Sequence, residues 1–321
     1  MKRGSSVDSS NSTEDREQLR DFLGTLPTET VGERYPDLDL LDDAELVHAM
    51  IESERAVADA VAAQSTQITA ALAGIVAGMA RGGRLIYMGA GTAGRMGILD
   101  ASEAPPTFGI SNDVIVGRIA GGETAIHTAV ENAEDDADSG AHDVDGLELG
   151  PNDSLVGISA SGRTPYVVGA LNRARERGSF TVAHSCNPNS AIGAAAHVAI
   201  ETEVGPELLT GSTRLKAGSA QKLVLNTLST GAMVRAGKVY RNLMVDLRAT
   251  NEKLRARSER TVILATAAEP AIAAASLEAT GGWVKAAILA IEAGIPAAAA
   301  VATLEGNGGY LRAAITEATT N

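Results

Sequence analysis

The sequence predicts an α/β fold, a doubly wound parallel sheet with an N-terminal helical arm and a small C-terminal helical domain. Three observations carry the prediction. Short apolar runs alternate with helical runs from Arg84 to Ile200, the order that builds a parallel sheet with helices on both faces. Two of those runs end in small-residue loops, Gly89-Ala90-Gly91-Thr92-Ala93-Gly94 and Ala160-Ser161-Gly162-Arg163-Thr164. Such loops let a parallel strand bring backbone N–H groups to a phosphate. From about residue 256 the chain is Ala-rich and punctuated by Pro270, Gly281-Gly282, Pro296 and Gly308-Gly309, a pattern of short packed helices.

Residues 1–22 are polar and serine-rich and are expected to be a disordered tail. An arm and helix follow at 23–65: Pro27 and Pro36 bias their predecessors toward extended backbone, and Asp42 or Asp43 can cap a helix over Ala44–Ala58. A second helical run, Val57–Met79, spaces Ile68, Leu72, Ile75 and Met79 on one face and stops at Gly82-Gly83. After the strand that ends at Gly89, the next helix is expected to stop before Pro105-Pro106, since proline lacks an N–H and clashes with the preceding turn. Val114–Ile119 reads as a strand. Thr124–Asp138 reads as one strongly acidic helix with Glu131 and Glu134 sharing a face. Further strands are expected at Ser154–Ser159, Phe180–Ala183 and His197–Ile200, with helices at Tyr166–Arg177 and Leu215–Ala236. The sheet domain is expected over 66–250 and the helical domain over 251–321. No internal tandem repeat is evident.

Composition narrows the function. A net charge of −13 argues against a nucleic-acid partner, because phosphate neutralisation needs clustered Lys and Arg. Cys186 is the one cysteine, so no intramolecular disulfide and no cysteine-based zinc site can form. The five histidines form no i,i+4 pair and no H-E-x-x-H, so no metal site is expected. The most apolar tract, Val284–Thr303, carries Lys285, Glu292 and Pro296 and reads as a packed helix pair rather than a membrane span. The first twenty residues hold no apolar leader, and a cytoplasmic protein is expected.

Gly89, Gly91 and Gly94 satisfy G-x-G-x-x-G, which invites a dinucleotide. That reading needs an unbroken helix after the glycines and an acid at the tip of the next strand. Pro105-Pro106 interrupt the first; Asp113 precedes its strand and Glu123 comes too late for the second. A nucleoside triphosphate loop, G-x-x-x-x-G-K-[ST], is absent. A phosphate monoester held between Gly91-Thr92 and Ser161-Gly162-Arg163-Thr164 remains, set against two ordinary strand-to-helix turns. His184 and Cys186 follow a strand and read as packing.

The matching runs are longer than these loops. They include Gly82–Tyr87, Gly89–Arg95, Asp100–Gly109, Ile119–Glu123, Ala129–Asp136, Ala160–Tyr166, Ser185–Pro188, and from Val204 through Thr210–Gly218 to Asn242–Asp246 and Ala249–Asn251. Over about residues 26–320 the chain resembles the N-acetylmuramic acid 6-phosphate etherase family of the sugar isomerase (SIS) fold group. The resemblance implies an SIS α/β domain, a homodimer with sites near the subunit interface, a phosphorylated amino sugar as substrate, and no metal or organic cofactor. It implies cleavage of the lactyl ether by elimination across C2–C3, then addition of water.

Elimination needs two proton-transfer groups, and in a chain without a usable histidine or metal constellation two carboxylates are the natural candidates. By the resemblance, the acid falls on Glu103 and the second catalytic glutamate on Glu134, while Glu131 remains open as the base or a sugar-hydroxyl ligand. The substrate-binding set is expected to hold Gly91, Thr92, Ala93, Ser102, Glu131, Ser161, Gly162, Arg163, Thr164 and Lys216. Arg163 either reaches the phosphate or pairs with the acidic helix. Lys216 with Glu207 either completes the site or forms a structural salt bridge. Ala93 stands where the family usually has a serine, and a lost charge-assisted bond to phosphate costs about 1–3 kcal/mol; Thr92 and Ser159 are the candidates to compensate. Two alternatives share the fold: a non-catalytic sugar-phosphate sensor related to glucokinase regulatory proteins, and an aldose–ketose isomerase. An SIS transcription factor is disfavoured by the absence of a basic N-terminal face.

Overall fold

The computed structural model describes residues 23–246 and 252–320, together with 17, 20 and 21. The expected 1–22 tail and the Ala249–Asn251 run therefore lie mostly or wholly outside the described residues.

After 3₁₀ turns at Pro27–Glu29 and Leu38–Leu40 come three α-helices, α1 (Asp43–Glu54), α2 (Ala56–Ala63) and α3 (Ser65–Met79). Asp42 caps α1, accepting from Glu45 N–H while the Glu45 carboxylate accepts from Asp42 N–H. The run expected from Val57 to Met79 is interrupted at Gln64. Then come β1 (Leu85–Gly89), α4 (Gly91–Phe108), β2 (Ile115–Ile119), α5 (Thr124–His127) and α6 (Ala137–Gly146). The alternation continues through β3 (Ser154–Ile158), α7 (Pro165–Glu176), β4 (Phe180–Ser185), α8 (Ala191–Ala195) and β5 (Val198–Glu201) to the long α9 (Lys216–Arg235).

The five strands pair in parallel in the order β2-β1-β3-β4-β5. Side chains alternate between the two faces, as a doubly covered strand requires. Leu85, Tyr87, Val156, Ile158 and Val182 join the cluster under α2, α3, α4 and α9. Ile86, Met88, Leu155 and Ala183 join the cluster under α6, α7 and α8. The predicted doubly wound sheet is present.

Two further sequence expectations fail. α4 does not stop before Pro105 and Pro106; it contains both. The prolines remove only the bonds to the carbonyls of Ala101 and Ser102, and the helix ends two residues later, where Gly109 at φ +63° donates to Pro105 O. Buried Ala101, Ala104 and Phe108 hold that last stretch against the core. The loop still differs from a dinucleotide fingerprint at the second strand, because β2 is followed by Ala120-Gly121-Gly122 with no acid at its tip. The second failure is the acidic helix. The chain turns extended at Thr128, goes left-handed at Asn132 (φ +61°), and makes one 3₁₀ turn at Ala133–Asp135. Asp136 then starts α6 by accepting from Ser139 N–H. A single helix would have stacked Glu131, Glu134, Asp135 and Asp138 at repulsive spacings.

After α9 a two-stranded antiparallel pair, β6 (Val239–Tyr240) and β7 (Leu243–Met244), leads to α10 (Glu252–Thr266), α11 (Pro270–Ala279), α12 (Val284–Ala293), α13 (Ala297–Gly306) and α14 (Leu311–Thr320). These helices share their own apolar cluster, which also takes in Tyr240 and Val245. Here the structure exposes a repeat the sequence reading did not. α11–α12 and α13–α14 are the same hairpin displaced by 27 residues at every helix end. Leu277–Ile288 (LEATGGWVKAAI) and Leu304–Ile315 (LEGNGGYLRAAI) agree at seven of twelve positions. Both diglycine turns take positive φ, 64° and 81° in one copy and 60° and 80° in the other. Among the described residues no single helix is long and apolar enough to cross a membrane.

Candidate active site

The chain leaves β1 for β2 on one side and later returns to β3 on the other, so the topological switch point lies between the tips of β1 and β3. In open α/β sheets that crevice is where ligands bind. Both small-residue loops open into it, since Gly89 and Ile158 are register partners.

The first loop is shaped by close backbone approach. A Cβ on Gly94 would lie 2.7 Å from Gly89 O and 2.5 Å from Ile119 Cγ1. Gly91 adopts φ +53° and faces open space. No side chain caps α4, and the first N–H taken inside the helix is that of Gly94, by Ala90 O at 3.1 Å. The N–H groups of Gly91, Thr92 and Ala93 thus form an anion-seeking helix start. Thr92 is half-buried against the start of α9, where a Cβ on Gly218 would meet its methyl at 3.6 Å.

The second loop is organised by Ser159, which is buried. Its hydroxyl accepts from Gly162 N–H at 3.0 Å and lies 2.7 Å from Thr164 Oγ1 and 3.3 Å from Ser161 Oγ. Arg163 N–H donates to Ser161 Oγ at 3.4 Å. Gly162 is at φ +76°, and a Cβ there would sit 2.4 Å from Ser190 Cβ. Ser159 therefore holds the loop from beneath. Asn187, for which the sequence carried no signal beyond its place in a matching run, ties three segments. Its amide donates to Ala160 O and to Thr28 Oγ1, each at 2.9 Å, and so docks the N-terminal arm behind the loop.

Glu134 and Glu131 lie on the exposed 126–136 segment, not on a shared helix face. That segment returns to the β1–β2 tips. A Cβ on Gly121 would lie 2.8 Å from Val130 Cβ, Ala120 N–H donates to Gly89 O at 3.0 Å, and Ala133 packs against the apolar cluster that contains Ala120. Arg95 braces it from α4, donating to the carbonyls of Ala125 and Ile126. Glu103 is exposed as well, but on α4 three turns beyond the loop, so it is helical rather than a loop acid. Ser102, beside it, returns its hydroxyl to Leu99 O at 2.8 Å.

Ala93 is buried in the main apolar cluster. The Lys216 ammonium and the Glu207 carboxylate do not form the expected salt bridge with each other. Glu207 caps α9, accepting from Lys216 N–H at 3.0 Å and Ala217 N–H at 2.9 Å. The Lys216 ammonium donates to Val204 O at 2.7 Å. Burial raises the Glu207 carboxyl and lowers the Lys216 ammonium from their usual ranges. Below α4, Asp100 accepts from Tyr87 OH at 2.8 Å and Ser229 Oγ at 3.1 Å and fixes α9 alongside. His184 and Cys186 are buried: desolvation pushes the imidazole down to about 4 and the thiol up to about 12. Among the described residues no group of three or more His, Cys, Asp or Glu is placed to hold a metal ion.

The profile of the glucokinase regulatory protein N-terminal SIS domain matches residues 67–175. The N-acetylmuramic acid 6-phosphate etherase of Rubrobacter xylanophilus is 54% identical over 273 residues, covering 85% of this chain and 91% of that protein. Its namesake from Streptomyces avermitilis is 54% identical over 277 residues, covering 86% and 89%. The chain belongs to the N-acetylmuramic acid 6-phosphate etherase family. The etherase of Salmonella enteritidis is 53% identical over 277 residues, covering 86% of this chain and 93% of that one. The sheet order and both crevice loops are thus those of an SIS-fold etherase-family member.

Proposed function

We propose that this protein is a carbon–oxygen lyase that cleaves the D-lactyl ether of N-acetylmuramic acid 6-phosphate, giving N-acetylglucosamine 6-phosphate and D-lactate. One observation carries the reading: two small-residue loops meet at the switch point of a chain that is 54% identical, over most of its length, to named etherases. The same relatives argue against the sensor and the isomerase.

In this reading the 6-phosphate rests on the N–H groups of Gly91, Thr92 and Ala93 and on the Ser161–Thr164 loop, with Arg163 as a cation at that loop. The open-chain aldehyde at C1 acidifies the C2 proton. One carboxylate removes it, the C3–O bond breaks, and the other carboxylic acid protonates the departing lactate oxygen. The resulting C2=C3 double bond then takes water at C3 and a proton at C2. Glu103 is assigned as the acid and Glu134 as the base; Glu131, on the same segment, is the alternative base or a ligand of a sugar hydroxyl. Ser102 and Lys216 complete the proposed substrate-binding set. No metal or organic cofactor enters this scheme. We assign the chemistry to the 66–250 unit, in a homodimer with its sites near the subunit interface. A phosphate monoester does not cross a bilayer unaided, so the reading places the reaction in the cytoplasm.

The purified protein is expected to release D-lactate from N-acetylmuramic acid 6-phosphate without added metal. Glu103→Gln is expected to abolish release, and wild-type turnover in that variant would sink the assignment of Glu103. In Glu134→Gln, solvent deuterium should no longer enter C2; continued exchange would move the base to Glu131.

A further inference from the structure

Glu103 lies twelve residues beyond Gly91 on one continuous helix, which places it about 18 Å down the axis from the phosphate loop. A hexose 6-phosphate reaches about 8 Å from phosphorus to the ether oxygen on C3, and a glutamate carboxylate about 5 Å from its Cα, with bonds near 1.5 Å. The two reaches together fall short of the gap. Glu134 has no such problem, because its segment folds back onto the β1–β2 tips of its own chain.

α4 also carries a solvent-facing stripe. Gly91, Leu99, Ser102, Glu103 and Pro106 are exposed and Arg95 is half-buried, the i, i+4, i+8 spacing of one helix face. Leu99 is 48% exposed, one turn before Glu103. Both glutamates lie in open water in the single chain, whereas a carboxylic acid that must give up a proton near neutral pH works best when water is removed from around it. What covers the stripe should therefore supply both the missing reach and the missing shelter.

We infer that Glu103 acts in trans: each active site takes its phosphate loops and Glu134 from one copy of this chain and Glu103 from a second copy. The inference rests on the etherase reading given above. Isologous dimers pair a surface with itself. A two-fold axis crossing the α4 stripe between Arg95 and Leu99 sets Glu103 of each copy opposite Gly91 of the other. The same axis covers Leu99 twice.

Two differently tagged chains, co-expressed and purified through both tags, test this on a defined heterodimer. With Glu103→Gln in one chain and Glu134→Gln in the other, the trans arrangement leaves one complete site and one doubly defective site. The heterodimer should then release D-lactate at about half the wild-type rate, while each single-variant homodimer is inactive. A heterodimer no more active than its parents would overturn the inference. The reciprocal control pairs wild type with the double variant. It should be inactive if Glu103 crosses over, and half-active if it does not. A protein that is monomeric and active would also overturn it. Failure of the etherase reading looks different, because the wild-type dimer itself would then release no lactate.

Discussion

At the residue scale, His184 shows how the buried polar groups of this sheet set its response to acid. Its Nε2 lies 3.0 Å from Thr202 Oγ1, Nδ1 has no hydrogen-bond partner among the described residues, and the ring is fully enclosed. Its pKa is pushed from 6.5 down to about 4, so below pH 6.5 the unfolded chain binds a proton that the folded chain refuses. This contribution to stability is full above pH 6.5 and falls as the pH drops toward 4. Between pH 7 and pH 5 the loss comes to about 2 kcal/mol. Urea unfolding at the two pH values should show it, and His184→Gln should flatten the difference. An unchanged pH dependence would mean that the ring is protonated in the fold.

Single elements explain what was legible in the sequence and what was not. β1 and β3 could be read because each is a short apolar run that ends in small residues, a signal set by local chemistry. The register that makes their loops neighbours is a long-range fact, and strand spacing alone does not carry it. α4 was misread because the rule against proline describes helix interiors, whereas Pro105 and Pro106 sit in a final turn held by buried Ala104 and Phe108. The acidic segment was misread because helical charge periodicity cannot reveal a left-handed turn at Asn132. Ser159 looked like a spare hydroxyl for phosphate, but its buried position makes it the loop's brace. Gly162→Ala tests that brace: the new methyl would meet Ser190 at a backbone φ of +76°. The variant should lose about 2 kcal/mol or more of stability and raise KM for the sugar phosphate. Unchanged KM and melting temperature would mean that the loop is free to move.

Across the whole molecule, the sheet and the C-terminal helices meet at a buried charge cluster. The Lys285 ammonium donates to Asp246 at 2.6 Å and to Gly309 O at 2.9 Å, and Lys238 pairs with the same carboxylate at 3.0 Å. Burial lowers the Lys285 ammonium, while Asp246 pulls it back toward the charged form. A Cβ on Gly109, at the end of α4, would lie 2.0 Å from Asp246 O, so the helix that carries Glu103 abuts this junction. Lys285→Met leaves Asp246 with one lysine and Gly309 O without its donor. It should cost about 3 kcal/mol, the low end of the range for breaking a buried pair, because Lys238 still faces the carboxylate. Differential scanning calorimetry would report it, and an unshifted transition would mean that the junction contributes nothing to cohesion.

The duplicated hairpin of the C-terminal helices carries a hazard during folding. Two near-copies 27 residues apart can each compete for the other's berth, the kind of misassembly to which repeated sequences are prone. Two departures from identity keep them apart. The first copy presents Lys285, which fits the Asp246 carboxylate. The second presents Tyr310, whose hydroxyl donates to Arg235 O and whose ring covers Gly237, with Arg312 over the Tyr240 ring. These side chains act as address labels that send each hairpin to one location and give the wrong exchange a mismatched partner.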